Sequence, residues 1–395
     1  MRHRALLTVS AAALIGVTSL VGTTTAGAAP SQTGQLHSAK VCGTPAAGHA
    51  ACMSVVRTDA AGKPLATTTP SGFGPTTIQS AYKLTGLSSG GRTVAIVDAY
   101  NDPTAETDLA TYRAAYGLAQ CTTANGCFRK VNQSGGTSYP RTNGGWAQEI
   151  SLDLDMVSAT CPDCKILLVE AKSSSFANLG AAVKTAAATP GVVAISNSYG
   201  GGDASDGSYG TYYNHPGIAV TASTGDSGYR GGSYPASSSF VTAVGGTSLK
   251  KDASARGWAE TVWAGAGSGC SAYNTALPAA VTFNTRCPKR AMADVSAVAD
   301  PYTGVAVYDS TAYQGSSGWM IFGGTSVSAP IIGSVYALSG NTSGYANALP
   351  YAHASALFDV ASGSNGTCAT AQWCTARIGW DGPSGLGTPN GASAF

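Results

Sequence analysis

Between residues 93 and 338, short apolar runs alternate with stretches of helical character, and that alternation leaves few folds open. Residues 93–97 read TVAIV, and residues 166–169, 192–195, 218–222 and 241–244 are similar in kind. Residues 104–116, with Leu109, Tyr112 and Tyr116 on one face, read as a helix, as do residues 76–84, 176–188 and 329–338. Apolar runs of this length, without polar alternation, suit strands buried on both faces. Helical stretches between them supply the crossovers that parallel pairing requires. The expected fold is therefore α/β, with a mostly parallel central sheet and helices on both faces. No internal repeat of fixed period is visible.

The segment before this pattern reads as an address followed by an arm. Arg2 and Arg4 precede a mostly apolar run over residues 5–21, and Ala26-Gly27-Ala28 offers small residues for cleavage. Residues 1–28 are thus expected to be a signal peptide, residues 29–70 a short pro-segment or N-terminal arm, and residues 71–395 the main body. The apolar run is short and rich in Ser and Thr for a membrane span. A secreted, extracellular protein with no membrane attachment in its mature form is expected. Charged residues make up 11% of the chain, the formal net charge is +2, and no basic run occurs, which argues against a nucleic-acid partner.

Ten cysteines fall into close neighbours: Cys42 and Cys52, Cys121 and Cys127, Cys161 and Cys164, Cys270 and Cys287, Cys368 and Cys374. An even count at local spacing in an exported chain reads as five short-loop disulfides. Cys161-Pro162-Asp163-Cys164 has the spacing of a redox pair, but it precedes an apolar run instead of opening a helix, so a staple is expected. No second CxxC or suitably spaced His pair supports a thiol metal site.

Gly323-Gly324-Thr325-Ser326 follows a strand-like run and enters the small-residue helix at 329–338. A Ser on such a turn can expose its hydroxyl beside the N–H groups of a helix start. Gly245-Gly246-Thr247-Ser248 repeats those four letters but runs into Leu249-Lys250-Lys251, and reads as a strand end and turn. A nucleophilic Ser needs a base. After the leader only His215 and His353 remain, and His215 sits in the turn-like Asn214-His215-Pro216-Gly217. Carboxylates are better placed. Glu149 and Asp153 are four apart, which on a helix over 147–157 brings them onto one face and lets them share a proton. The same stretch alternates apolar and polar residues as a strand would, with the two acids farther apart; helix-favouring Gln, Glu, Leu and Met tip the choice. Asp226, in Thr224-Gly225-Asp226-Ser227-Gly228, follows the run at 218–222, at the kind of strand end where α/β folds place ligands.

In their joint order these segments resemble the sedolisin family of serine-carboxyl peptidases, which have a subtilisin-like fold. The resemblance spans Ser71 to the C-terminus. It includes Ser71-Gly72-Phe73-Gly74-Pro75 with Ala81-Tyr82, the Glu149 and Asp153 pair, Ser198-Tyr199-Gly200, Ser223-Thr224-Gly225-Asp226, and Gly324-Thr325-Ser326 with Pro330. It implies that Ser326 attacks the peptide carbonyl, that Glu149 acts as base and then acid, and that Asp153 orients Glu149. Asp226 would donate a hydrogen bond to the oxyanion as a neutral acid, giving an acid pH optimum. Asp98 would extend the proton network. The resemblance further implies one structural Ca2+ held by the Asp359 and Asp381 carboxylates and the carbonyls of Val360, Arg377 and Gly379. Protein or peptide substrates and a monomer are expected. Two departures stand out: relatives carry a large pro-domain where residues 29–70 stand here, and Tyr199 replaces a common Trp.

Two rival readings use the same residues. Asp98, His215 and Ser326 occur in the order of a subtilisin triad, although His215 lies late in the chain and precedes a Pro. A non-catalytic binding protein on a protease scaffold is the other.

Overall fold

Thr93–Ala99, seven residues with six buried, is the strand around which the main sheet is laid. In the computed structural model it pairs in parallel with Lys165–Ala171 on one side and Val192–Asn197 on the other. The sheet runs Trp258–Val262, Thr242–Lys251, Ala219–Ser223, Val192–Asn197, Thr93–Ala99, Lys165–Ala171, Phe128–Asn132, with Val295–Val298 also paired to Thr242–Lys251. Within this sheet only Trp258–Val262 is antiparallel to its neighbour. Met1, residues 36–341 and residues 343–395 are described. The rest of the expected signal peptide, and residues 29–35 of the arm, lie outside the described residues.

Crossover helices follow the expected rhythm. Ala105–Ala115 lies between Thr93–Ala99 and Phe128–Asn132, Gly144–Thr160 between Phe128–Asn132 and Lys165–Ala171, and Phe176–Ala187 between Lys165–Ala171 and Val192–Asn197. Asn143 caps Gly144–Thr160, its side chain accepting from the Trp146 N–H at 3.2 Å. From Gly145 to Thr160 every residue of this helix is buried. A helix enclosed all round normally carries apolar side chains throughout, yet this one buries Gln148, Glu149, Ser151, Asp153 and Asp155. Tertiary enclosure, not a wet acidic face, is their environment.

Gly144–Thr160 packs against Thr325–Ser339, and the latter also packs on the central strands. Pro330 lies inside Thr325–Ser339. Its ring nitrogen has no hydrogen to give the Ser326 carbonyl one turn earlier, and that carbonyl accepts the Ser198 hydroxyl instead, at 3.3 Å. A second sheet, ordered His37–Lys40, Val55–Thr58, Ser316–Gly323, Val305–Tyr313, delivers the chain to this helix. The arm before residue 71 thereby supplies strands to the body.

All five disulfides pair as the spacing predicts, with Cα separations from 4.8 to 6.1 Å. One expectation is corrected. Gly245-Gly246-Thr247-Ser248 is not a strand end: it lies within Thr242–Lys251 and is paired on both sides. Its glycines are there for packing, since a Cβ at Gly246 would come 2.5 Å from the Ala299 methyl.

Candidate active site

The carboxyl ends of three neighbouring strands meet the start of the helix Thr325–Ser339. Asp98 is the last residue but one of Thr93–Ala99, Ser198 follows Val192–Asn197, and Asp226 comes shortly after Ala219–Ser223. Ser326 is the second residue of its helix, entered through Gly324 at φ +95°. Only glycine suits that turn. A Cβ at 324 would strike the Met53 carbonyl and sit 2.9 Å from Asp226 Oδ2.

Ser326, Glu149, Asp153 and Asp98 are fully buried and Asp226 nearly so. Burial raises the Glu149 pKa to about 8, the Ser326 and Ser54 hydroxyls pull it back, and the Asp226 charge adds to the rise. Neither hydroxyl is aligned on the carboxylate: Ser326 Oγ donates to the Ser198 carbonyl at 3.1 Å, and Ser54 Oγ faces Cys52 Sγ at 3.7 Å. Both Glu149 oxygens are therefore buried without a hydrogen-bond partner. Asp153 is held well above the usual carboxylate range by burial and by the Asp98 and Glu149 charges, and Asp98 by burial with Glu149 and Glu170. Carboxyls this dry, each set against the charge of another, do not all ionise together.

Asp226 is fixed by one neighbour. Its Oδ1 accepts both the Thr325 N–H at 2.7 Å and the Thr325 hydroxyl at 2.9 Å, while Oδ2 is buried and unpartnered. Thr325 Oγ1 is itself oriented by the Gly225 N–H at 3.0 Å. Burial lifts Asp226 to about 7, against the pull of the Thr325 donors and Lys40. A proton on this acid belongs on Oδ2, beside the spot that the Ser326 N–H also addresses.

The triad order is not realised. His215 meets the carbonyl of Tyr212 in its own loop at 2.9 Å and hydrogen-bonds to neither Ser326 nor Asp98. Tyr199 turns its hydroxyl to Asn197 Oδ1 at 2.7 Å instead of to a carboxyl. Ser54, Ser198 and Thr325 were not singled out from sequence as contacts of the site. Ser198 and Thr325 lie in segments that carry the resemblance, whereas Ser54 had no local signal.

The expected calcium ligands gather elsewhere, in the C-terminal loops. Asp381 is buried and accepts from Ser384 N and Oγ at 2.9 and 2.7 Å and from the Arg377 N–H at 3.1 Å. Asp359 accepts the Gly379 N–H at 2.9 Å. Burial first, and the Asp359 charge after it, lift Asp381 to about 7. Asp359 and Asp381 lie close enough for the charge of one to raise the pKa of the other, and two such carboxylates are hard oxygen donors of the kind calcium takes, so they are compatible with the ion. Asp102, Asp108 and Asp309 also cluster, but Thr104, Ser310 and Thr311 donate to them.

The parallel sheet, with the candidate nucleophile at a helix start facing the strand ends, defines a subtilisin-like α/β fold. No protein-family model matches the chain. Kumamolisin from Bacillus sp. (strain MN-32) is 29% identical over 82% of this chain and 63% of its own length. Tripeptidyl-peptidase sed1 of Aspergillus fumigatus is 34% identical over 26% of this chain and 15% of its own. The solved structure of Pseudomonas sedolisin, a serine-carboxyl proteinase complexed with two molecules of pseudo-iodotyrostatin, is similar with a TM-score of 0.68 and 25% identity. It covers 82% of this chain and 96% of that one. In sequence and in fold the chain is similar to these sedolisin-type peptidases. It spans less than two thirds of the length of the curated relatives it matches.

Proposed function

We propose that this protein is a secreted serine-carboxyl peptidase that hydrolyses peptide bonds in proteins at acid pH. The observation that carries the reading is the convergence of one hydroxyl, one buried base and two donors. Ser326 is the neighbour of Glu149, whose carboxyl is in turn coupled to Asp153 and Asp98, and the Ser326 N–H and Asp226 Oδ2 flank a single carbonyl position.

In this reading the Ser326 hydroxyl turns from Ser198 to Glu149, gives up its proton and adds to the substrate carbonyl. Glu149 then protonates the leaving amine, and Asp153 and Asp98 buffer its charge. The oxyanion is met by the Ser326 N–H and by the Asp226 proton, in a dry site where such donors count most. Calcium, where bound, would supply structural rigidity through Asp359, Asp381 and the carbonyls of Val360, Arg377 and Gly379, away from the reacting atoms. Five disulfides fit an extracellular life, and among the described residues no helix is long and apolar enough to cross a membrane.

Ionised Asp226 would repel the oxyanion, so activity should fall as pH rises through the Asp226 pKa. Burial is the leading cause of the high values at Glu149 and Asp226. Both should therefore drop toward the ordinary carboxylate range when water enters an open cleft, bringing the optimum to acid pH. The test is casein hydrolysis from pH 3 to 8 by the wild type beside Ser326→Ala. Cleavage confined to acid pH and absent in Ser326→Ala is expected. No Ser326-dependent cleavage at any pH would favour a non-catalytic binding protein.

A further inference from the structure

The stretch around Met53 lies across the candidate active site in the manner of a substrate. Ala51–Cys52 pairs antiparallel with Tyr199–Gly202, Ala51 opposite Gly200 and Cys52 opposite Tyr199. The Met53 N–H donates to the Ser198 carbonyl at 3.1 Å, and the Ser326 N–H donates to the Met53 carbonyl at 2.9 Å. That carbonyl and Asp226 Oδ2 both border the point a Cβ at 324 would occupy. Beyond it, Ser54 is fully buried with its hydroxyl near Glu149, and Val55 and Val56 pair with Gly323 and Phe322 just before the helix of Ser326. The chain is thus clamped on both sides of one peptide bond. The Met53 carbonyl accepts from the Ser326 N–H and borders the same point as Asp226 Oδ2, and the Ser54 nitrogen occupies the place of a leaving group.

We propose that the Met53–Ser54 peptide bond is a self-cleavage site of this chain, seated at Ser326, and that residues 36–53 fill the substrate cleft until it is cut. This rests on the peptidase reading above. Ser326 Oγ adds to the Met53 carbonyl carbon while its proton passes to Glu149. The bond from that carbon to the Ser54 nitrogen breaks, and Glu149 returns the proton to the nitrogen as a free amine. Water then attacks the Met53 ester with its proton moving to Glu149, and Ser326 leaves with a proton restored. The products are a Met53 carboxyl group and a new N-terminus at Ser54.

Two further features fit a bond meant to be cut. None of the five disulfides joins a residue before Ser54 to one after it; Cys42–Cys52 closes a loop wholly on the N-terminal side. After cleavage only non-covalent contacts retain residues 36–53. These include the pairing of His37–Lys40 with Val55–Thr58 and the Lys40–Ser227 hydrogen bond at 2.5 Å. The Met53 side chain also identifies what the site accepts. Its Cε is 3.0 Å from where a Gly200 Cβ would be and 4.0 Å from a Gly225 Cβ, on the wall of a cavity of about 390 Å³ lined also by Thr224, Gly267 and Ser268. Glycine walls admit a long, unbranched apolar side chain on the acyl side of the bond. The substrate class is therefore a peptide extended antiparallel to Tyr199–Gly202 with such a residue before the cut.

The test is intact mass and N-terminal sequence of the full secreted chain, wild type, Ser326→Ala and Met53→Asp, over time at pH 4.5, with casein hydrolysis followed in parallel. The wild type should acquire a Ser54 N-terminus at a rate independent of protein concentration, and casein hydrolysis should rise with it. Ser326→Ala should keep the bond, and Met53→Asp should delay both events together by at least tenfold. Ser326-dependent casein hydrolysis by a chain whose Met53–Ser54 bond stays whole, or is cut elsewhere in the arm, would overturn the proposal and leave the peptidase reading standing. Absence of Ser326-dependent hydrolysis of both casein and the arm would overturn the two together.

Discussion

At Asp226 the two carboxyl oxygens have different surroundings. Oδ1 is used up by the Thr325 N–H and hydroxyl, and Oδ2 has no partner. An amide placed there can keep Oδ1 as acceptor and present its NH2 where Oδ2 stands, donating a hydrogen bond that no longer depends on pH. Asp226→Asn is therefore expected to stay within about tenfold of wild-type kcat at acid pH and to lose the fall in activity that the wild type shows as pH rises past its acid optimum. Asp226→Ala, which removes the donor, should cost about 10²–10³ in kcat. Both are read from pH–rate profiles. A wild-type-like alkaline fall in Asp226→Asn would assign that limb to another group.

At the scale of elements, the sheet and its crossovers were legible because periodicity and strand length are local properties. Thr93–Ala99 and Phe176–Ala187 fall close to where their residues indicated. The helix Gly144–Thr160 was harder, because five polar residues alternate through it and its local pattern admits a strand. What decides it is enclosure by Ala105–Ala115 and Thr325–Ser339, which no local window contains. The second GGTS was misplaced for the same reason: partners on both sides, distant in sequence, extend the strand through it. The positions of Met53 and Ser54 were not legible at all, since nothing in the arm's composition marks where it crosses the cleft. In the C-terminal loops, the Asp359 and Asp381 carboxylates have no cationic side chain between them among their hydrogen-bond partners. A calcium ion there would stabilise the folded chain by mass action. EGTA should lower the melting temperature of Ser326→Ala protein, calcium should restore it, and Asp359→Asn should remove the response. An EGTA-insensitive melting curve would argue against the ion.

Across the whole molecule, burial leaves an unusual set of acids. Glu149 and Asp309 are lifted to about 8, Glu170 and Asp226 to about 7, and Asp98, Asp153 and Asp155 well above their ordinary range, with burial the first cause in each. Their folded pKa values exceed the unfolded values of about 4, so the folded state binds more protons between those limits. The stabilisation they confer is full below about pH 4 and is lost as pH rises through 7 to 8. Ser326→Ala protein, which cannot digest itself, should therefore melt at a higher temperature at pH 4.5 than at pH 8. The reverse order would mean that these carboxyls are solvated or paired in solution.

The central claim is that a carboxyl group, not an imidazole, takes the proton from Ser326. Its most direct measurement is kcat for casein hydrolysis at the acid optimum in Glu149→Gln and His215→Ala, each folded as judged by circular dichroism. The account predicts a loss of about 10³-fold or more in Glu149→Gln and near wild-type turnover in His215→Ala. Turnover that survives Glu149→Gln and disappears in His215→Ala would contradict it.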